Sequence, residues 1–99
     1  MGKLVRDGIP ALIRASGGRP DVRILDEAEY KAALLAKLDE ECGEAVQATP
    51  DNLEEELADV LEVLQALAAA FGHAWEQVEQ TAIAKRAAKG GFHDRLWLA

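Results

Sequence analysis

The stretch that decides the fold is DEECGEAVQATPDNLEEELADVLE, residues 39–62, which carries ten acidic residues and no basic one. Thr49-Pro50-Asp51-Asn52 divides it. Proline disfavours a helical conformation at the residue before it, and Asp51 or Asn52 can cap a following helix. We therefore predict one helix that ends near Ala48 and one that begins at Leu53, packed antiparallel as neighbours.

The rest of the chain predicts an all-α bundle with a short irregular or β-like N-terminal segment. Alanine, leucine, glutamate, lysine and arginine supply 54 of the 99 residues, which is a helical composition. A short helix is predicted from Gly8-Ile9-Pro10, and Asp26 with Glu29 predicts the capping box of the helix that runs to Ala48. The next helix is predicted over residues 53–71, and the last over residues 74–89.

Three short segments carry weaker predictions. Residues 22–25 alternate enough to form a short strand, paired with residues 3–6. Leu12 and Ile13 are expected to face inward from the first helix. In the tail after Gly90-Gly91, the apolar residues are expected to pack back on the bundle: Leu96, Trp97 and Leu98.

Length and composition limit the class of protein. Ninety-nine residues predict one domain, 1–99. The single cysteine, Cys42, excludes an internal disulfide and a cysteine-based zinc cluster. The sequence has no 18-residue apolar run and its first ten residues lack a signal-peptide core, so we expect a cytoplasmic protein without a membrane partner. A net charge of −7 argues against a nucleic-acid partner.

Helical periodicity places acidic side chains on or beside the apolar faces. With Leu34 at 0°, Glu41 falls at about −20°, Glu44 at about −80° and Glu40 further out at about −120°. With Leu53 at 0°, Glu56 falls at about −60° and Asp59 at about −120°. A glutamate on a core face is costly unless it is paired, protonated or bound to a metal.

Four carboxylates can thus meet between the two helices: Glu41, Glu44, Glu56 and Asp59. No Lys or Arg occurs between Lys37 and Lys85, so we expect no base on either helix to pair with them. All-oxygen ligands favour a hard divalent cation, Mg²⁺ above all, with Mn²⁺ as a substitute. Two alternatives are a solvated acidic face and a di-iron centre, but the second normally uses E-x-x-H pairs and no His stands at that spacing here.

At these residues the sequence resembles a known family. E-E-x-x-E at residues 40–44 followed by E-x-x-D at residues 56–59 is similar to the signature of the MazG-like all-α nucleoside triphosphate pyrophosphohydrolases. K-L-V-R-D-x-I-P at residues 3–10, V-R-I-L-D at residues 22–26 and G-G-F at residues 90–92 resemble its phosphoribosyl-ATP pyrophosphohydrolase-like branch. Gly8 departs from that branch, which commonly has Lys there, and so removes a possible phosphate-binding base.

The resemblance implies a Mg²⁺-dependent enzyme, assembled as a dimer or tetramer, that cleaves a standard or non-standard nucleotide between its α- and β-phosphorus. Monophosphate and pyrophosphate would be the products. Glu41, Glu44, Glu56 and Asp59 match the metal ligands, and Glu40 matches a residue behind them. We expect Glu41 or Glu44 to accept the proton of the attacking water. Candidate phosphate-binding residues are the bases Lys3, Arg6, Lys85, Arg86, Lys89 and Arg95.

The helix over residues 53–71 is apolar nearly all round after Val63, which predicts a subunit interface and most simply a homodimer. Two other functions remain open. One is a non-catalytic helical dimer that binds a nucleotide or a protein partner, and the other is a purely structural acidic bundle. Pyrophosphate release and stabilisation by divalent cations discriminate among the three.

Overall fold

Four α-helices account for most of the chain in the computed structural model, which describes residues 2–99. They are α1 (Ile9–Ala15), α2 (Glu27–Gln47), α3 (Leu53–Ala70) and α4 (Trp75–Lys89). No strand occurs among residues 2–99. The all-α prediction is confirmed, and the predicted bounds of the three long helices agree with the structure to within one residue.

A capping box begins α2, as the sequence predicts. The Asp26 carboxylate accepts a hydrogen bond from the Glu29 backbone N–H at 2.8 Å, and the Glu29 side chain accepts one from the Asp26 N–H at 3.2 Å. Arg23 donates two hydrogen bonds to the Glu29 carboxylate, at 3.1 and 2.8 Å. The Arg23 hydrogen bonds, with those of Asp26, lower the pKa of Glu29 to about 2. These contacts fix where α2 starts.

The helices α2 and α3 form an antiparallel hairpin. Lys31, early in α2, lies 5.2 Å from the ring centre of Phe71 just after α3, whereas Glu41, later in α2, meets Glu56 early in α3. Asn52 stands at the N-cap of α3 but makes no side-chain capping hydrogen bond, so that predicted cap is not formed. Three acidic residues in the first turn, residues 54–56, instead complement the helix dipole.

The apolar core lies between α2 and α3 and is small. Leu34 of α2 and Val63 and Ala68 of α3 are the buried apolar residues among those described. The helix α3 also packs against α4. Its other apolar faces remain open, since Leu57 and Leu61 are about half exposed.

The first helix does not pack as predicted. Leu12 and Ile13 are 63% and 39% exposed, because α1 makes no contact with another helix in the described chain. Ile13 instead lies beside the turn that ends α1, where its carbonyl accepts a hydrogen bond from Gly18. A Cβ atom on Gly18 would lie 2.6 Å from a methyl group of Ile13, so this turn needs glycine.

Two further predictions are wrong. Residues 22–25 do not form a strand, because Ile24 is almost fully exposed and an isolated two-stranded ribbon is marginal in water. The tail residues Leu96, Trp97 and Leu98 do not pack back and are at least 88% exposed. The chain leaves α4 through Gly90, at φ 81°, and the three tail residues find no apolar surface to cover them in the described part of the chain.

The chain is extended. Its radius of gyration is 17.1 Å, against about 13 Å for a compact 100-residue domain. No single helix among residues 2–99 is long and apolar enough to cross a membrane. The pair α3 and α4 reaches that length and composition only when joined across a bend of 112°.

Candidate metal centre

Glu41 is the buried acidic residue at the centre of the site. It lies on the face of α2 that carries Leu34 and is only 7% exposed. The helical period predicts this placement, because residues seven positions apart return to the same face. Removing a carboxylate from water to this degree is costly unless a cation or hydrogen-bond donors compensate it.

Glu56 and Asp59 approach Glu41 from α3. They stand one turn apart on that helix, and both are half-buried. One carboxylate oxygen from each of the three residues lies within 4.8 Å of the other two. The antiparallel hairpin therefore brings three of the four predicted metal ligands together.

Two oxygen atoms of this carboxylate cluster, Glu41, Glu56 and Asp59, are buried without a partner. Oε2 of Glu41 and Oε2 of Glu56 are inaccessible to solvent and accept no hydrogen bond. Native proteins pair most of their buried polar atoms, so such atoms call for an explanation. A cation between the two helices would satisfy both.

Two basic side chains contact the carboxylate cluster, so the expectation that no base would pair with it is wrong. Lys37 is one helical turn before Glu41 on α2, and its Nζ lies 3.4 Å from Oε1 of Glu41. Arg6, from the irregular segment before α1, donates a hydrogen bond to Oδ1 of Asp59 at 2.7 Å. Neither contact involves the two unpartnered Oε2 atoms.

Glu44 and Glu40 lie outside the cluster. Both are exposed, and Glu40 is 3.7 Å from Lys37. Hydrogen bonding with the Glu41 carboxyl group raises the pKa of Glu44, and the negative charges of Glu41, Glu56 and Glu40 add to this effect. Glu44 therefore binds a proton more readily than an isolated glutamate, and it remains open to water.

Among the predicted phosphate-binding residues, Arg6 is the one that contacts the cluster. Lys3 lines an open cavity beside the N-terminal segment, and Arg95 lies in the exposed tail. The three bases of α4 occupy its last two turns and form no ion pair with the cluster in the described part of the chain: Lys85, Arg86 and Lys89.

Sequence reasoning missed both cationic partners of the cluster. The spacing of Lys37 and Glu41, four residues apart on one helix, is a signal for the first pair. No local signal exists for Arg6 and Asp59, which are 53 residues apart. Only the path of the irregular N-terminal segment joins them.

The donor set fits a hard divalent cation. All three ligating groups are carboxylates, two oxygens lack partners, and no sulfur or imidazole ligand joins the cluster among residues 2–99. Oxygen-only ligands suit Mg²⁺ and Mn²⁺. Such an ion can bind phosphate oxygens and activate water.

Comparison with known proteins agrees with this geometry. The family model described as the MazG nucleotide pyrophosphohydrolase domain matches residues 29–89, which include all three cluster residues. An uncharacterized protein of Mycolicibacterium smegmatis is 64% identical over 44 residues, a match that covers 44% of this chain and 45% of that relative. No solved structure matches the chain. With more than half of its length matched and an acidic cluster between its two longest helices, the chain belongs to the MazG nucleotide pyrophosphohydrolase domain family.

Proposed function

We propose that this protein is a Mg²⁺-dependent hydrolase of nucleoside triphosphates that releases pyrophosphate and leaves the monophosphate. The carrying observation is the pair of buried, unpartnered oxygens on Glu41 and Glu56, on facing helices of a MazG domain. A plain acidic surface would leave such oxygens in water. A purely structural bundle would pair them or replace the residues with apolar ones.

Glu41, Glu56 and Asp59 would hold the ion through carboxylate oxygens, with Mn²⁺ as a substitute for Mg²⁺. When bound, the ion neutralises phosphate charge and lowers the pKa of a coordinated water. Lys37 lies 3.4 Å from one Glu41 oxygen, and the other oxygen, which has no partner, would be available to the ion. Glu40 lies behind the cluster and would orient Lys37, which it approaches to 3.7 Å.

Glu44 is our candidate for the general base. It is one turn from Glu41, it is exposed, and neighbouring carboxylates raise its pKa, so it is suited to take a proton from the attacking water. Glu41 is less suited to be the base, because its side chain is buried and one of its oxygens is paired with Lys37.

We also propose that the working form is a homodimer in the cytoplasm, without a nucleic-acid or membrane partner. The exposed apolar side chains Leu57, Leu61 and Leu64 on α3 and the extended shape of the subunit support a second copy packed against this helix. Lys3, Lys85, Arg86, Lys89 and Arg95 lie away from the cluster of their own subunit. If they bind phosphate, a dimer is the simplest way to bring them to it.

A panel of standard and modified nucleoside triphosphates, assayed with Mg²⁺, with Mn²⁺ and with EDTA, tests the proposal. We expect pyrophosphate release that EDTA abolishes and that Glu41→Gln lowers to background. Glu55→Gln is the matched control, because Glu55 is an exposed acid beside Glu56 and outside the cluster. Full activity of Glu41→Gln would refute the site. Stabilisation by Mg²⁺ with no turnover of any nucleotide would favour the non-catalytic binding function.

A further inference from the structure

The ion pair between Arg6 and Asp59 links the irregular N-terminal segment to the carboxylate cluster. Nη2 of Arg6 is 2.7 Å from Oδ1 of Asp59, and Nη1 is 3.9 Å from Glu62. Residues 2–8 contain no helix. Among the side chains of this described segment, Arg6 is the one that forms a hydrogen bond or salt bridge to the helical hairpin. Asp59 is thus paired with a positive charge that the chain itself supplies.

We propose that Arg6 is a resident counter-ion of Asp59 that the divalent cation displaces, and that the released guanidinium then binds the phosphate groups of the nucleotide. This inference rests on the proposed metal site. It assigns Arg6 two successive partners, first a carboxylate of the protein and then a phosphate of the substrate.

The Arg6–Asp59 pair is exposed, whereas the unpartnered oxygens of Glu41 and Glu56 are buried. This difference favours the divalent cation over Arg6 as the partner of Asp59. The Arg6 and Asp59 side chains are 56% and 40% exposed, so water screens their attraction and the pair is weak. The oxygens of Glu41 and Glu56 are buried and unpartnered, so an ion that binds them gains much more. An ion coordinated by all three carboxylates would share Asp59 with the guanidinium, and the two positive charges would repel each other.

Open space beside Arg6 leaves room for the released side chain to move. Arg6 lines an open cavity of about 1330 Å³ between residues 2–13, residues 20–25 and the first turns of α2. Lys3 lines the same cavity, together with the acidic residues Asp7, Asp21 and Glu27. The recognition of phosphate therefore rests on the Arg6 guanidinium itself. A guanidinium presents its N–H donors in a fork that matches phosphate oxygens, and phosphate held at the carboxylate cluster lies within its reach from this position.

Linkage makes the displacement measurable without any turnover. If the ion weakens the pair of Arg6 with Asp59, the pair must weaken ion binding by the same factor. We therefore expect Arg6→Gln to bind Mn²⁺ and Mg²⁺ more tightly in calorimetry, by up to about five-fold, because the pair that is lost is exposed to solvent. Arg6→Lys keeps the charge and should bind the ions as the unaltered chain does. The difference should shrink as NaCl screens the exposed pair.

Arg14→Gln is the matched control, because Arg14 lies on α1 and forms no ion pair among residues 2–99. It should leave ion binding unchanged. In the presence of Mg²⁺, inorganic pyrophosphate should bind Arg6→Gln more weakly than the unaltered chain.

The outcomes distinguish failure of the displacement from failure of the proposed metal site on which it rests. Equal or weaker ion binding by Arg6→Gln, with clear binding by the unaltered chain, would overturn the displacement and leave the metal site intact. If Arg6→Gln bound the ions more tightly but bound pyrophosphate unchanged, the proposed contact of Arg6 with phosphate would be refuted. Absence of ion binding in every variant would overturn the metal site and this inference together.

Discussion

Replacement of Glu41 by Gln should remove most of the stabilisation that a divalent cation gives to the folded protein. The Glu41 side chain is buried, one oxygen contacts Lys37 at 3.4 Å, and the other has no partner. In EDTA, the buried negative charge of Glu41 is compensated only by Lys37. With Mg²⁺ present, the same carboxylate would be a ligand of the ion.

The magnitude follows from these contacts. An unsatisfied buried polar atom costs about 1–3 kcal/mol, and a charged one costs more. Glu41→Gln removes the charge but also breaks the ion pair with Lys37, a pair whose side chains are only 19% (Lys37) and 10% (Glu41) exposed. The two effects oppose each other in EDTA, so we expect the variant to lie within about 3 kcal/mol of the unaltered chain there. At about one hundred times its Kd, Mg²⁺ should stabilise the unaltered chain by about 2.7 kcal/mol and the variant far less.

Urea unfolding at one fixed protein concentration, with EDTA and with saturating Mg²⁺, measures both effects. Glu55→Gln serves as the control and should stay within about 0.5 kcal/mol of the unaltered chain in each condition, because Glu55 is exposed. Equal stabilisation of the unaltered chain and of Glu41→Gln by Mg²⁺ would refute the reasoning.

Three further predictions test other parts of the structure. Glu44→Gln should keep Mg²⁺ binding in calorimetry but lower kcat by about 10²–10⁴-fold, and near-normal turnover would exclude Glu44 as the base. Arg23 lowers the pKa of Glu29 to about 2, so their pairing stabilises the fold above about pH 4.5 and this stabilisation is lost as the pH falls through about 2. In urea unfolding, the stability difference between the unaltered chain and Arg23→Gln should therefore shrink over that pH range. A constant difference would contradict the lowered pKa of Glu29. Sedimentation should show twice the 10.7 kDa subunit mass at micromolar concentration, and Leu61→Glu should shift the protein toward monomer; a monomeric unaltered chain would argue against the dimer.

The helices were predictable because their signals are local. The Asp26 and Glu29 capping box, the break at Pro50 and the glycines after α3 and α4 act within a few residues of the boundaries they set. The burial of Glu41 was predictable for the same reason, since a helical period and one short loop determine what faces the neighbouring helix.

Predictions that depended on distant contacts succeeded less often. The sequence predicts apolar contacts for Leu12, Ile13 and the tail, but nothing in it states which surface they would meet, and α1 packs on no other helix in the described chain. The pair of Arg6 with Asp59 is set by the path of an irregular segment, which has no periodicity to read. Glu44 lies on the edge of its helical face and is exposed, so its predicted role as a metal ligand stays a prediction.

Phosphorus-31 NMR of a nucleoside triphosphate incubated with the protein and Mg²⁺ tests the proposed activity most directly, because it identifies both products at once. We expect inorganic pyrophosphate and the nucleoside monophosphate to appear together, and neither to appear in EDTA or with Glu41→Gln. Orthophosphate with the nucleoside diphosphate, or equal product formation by Glu41→Gln, would contradict the proposed reaction and the carboxylate site on which it rests.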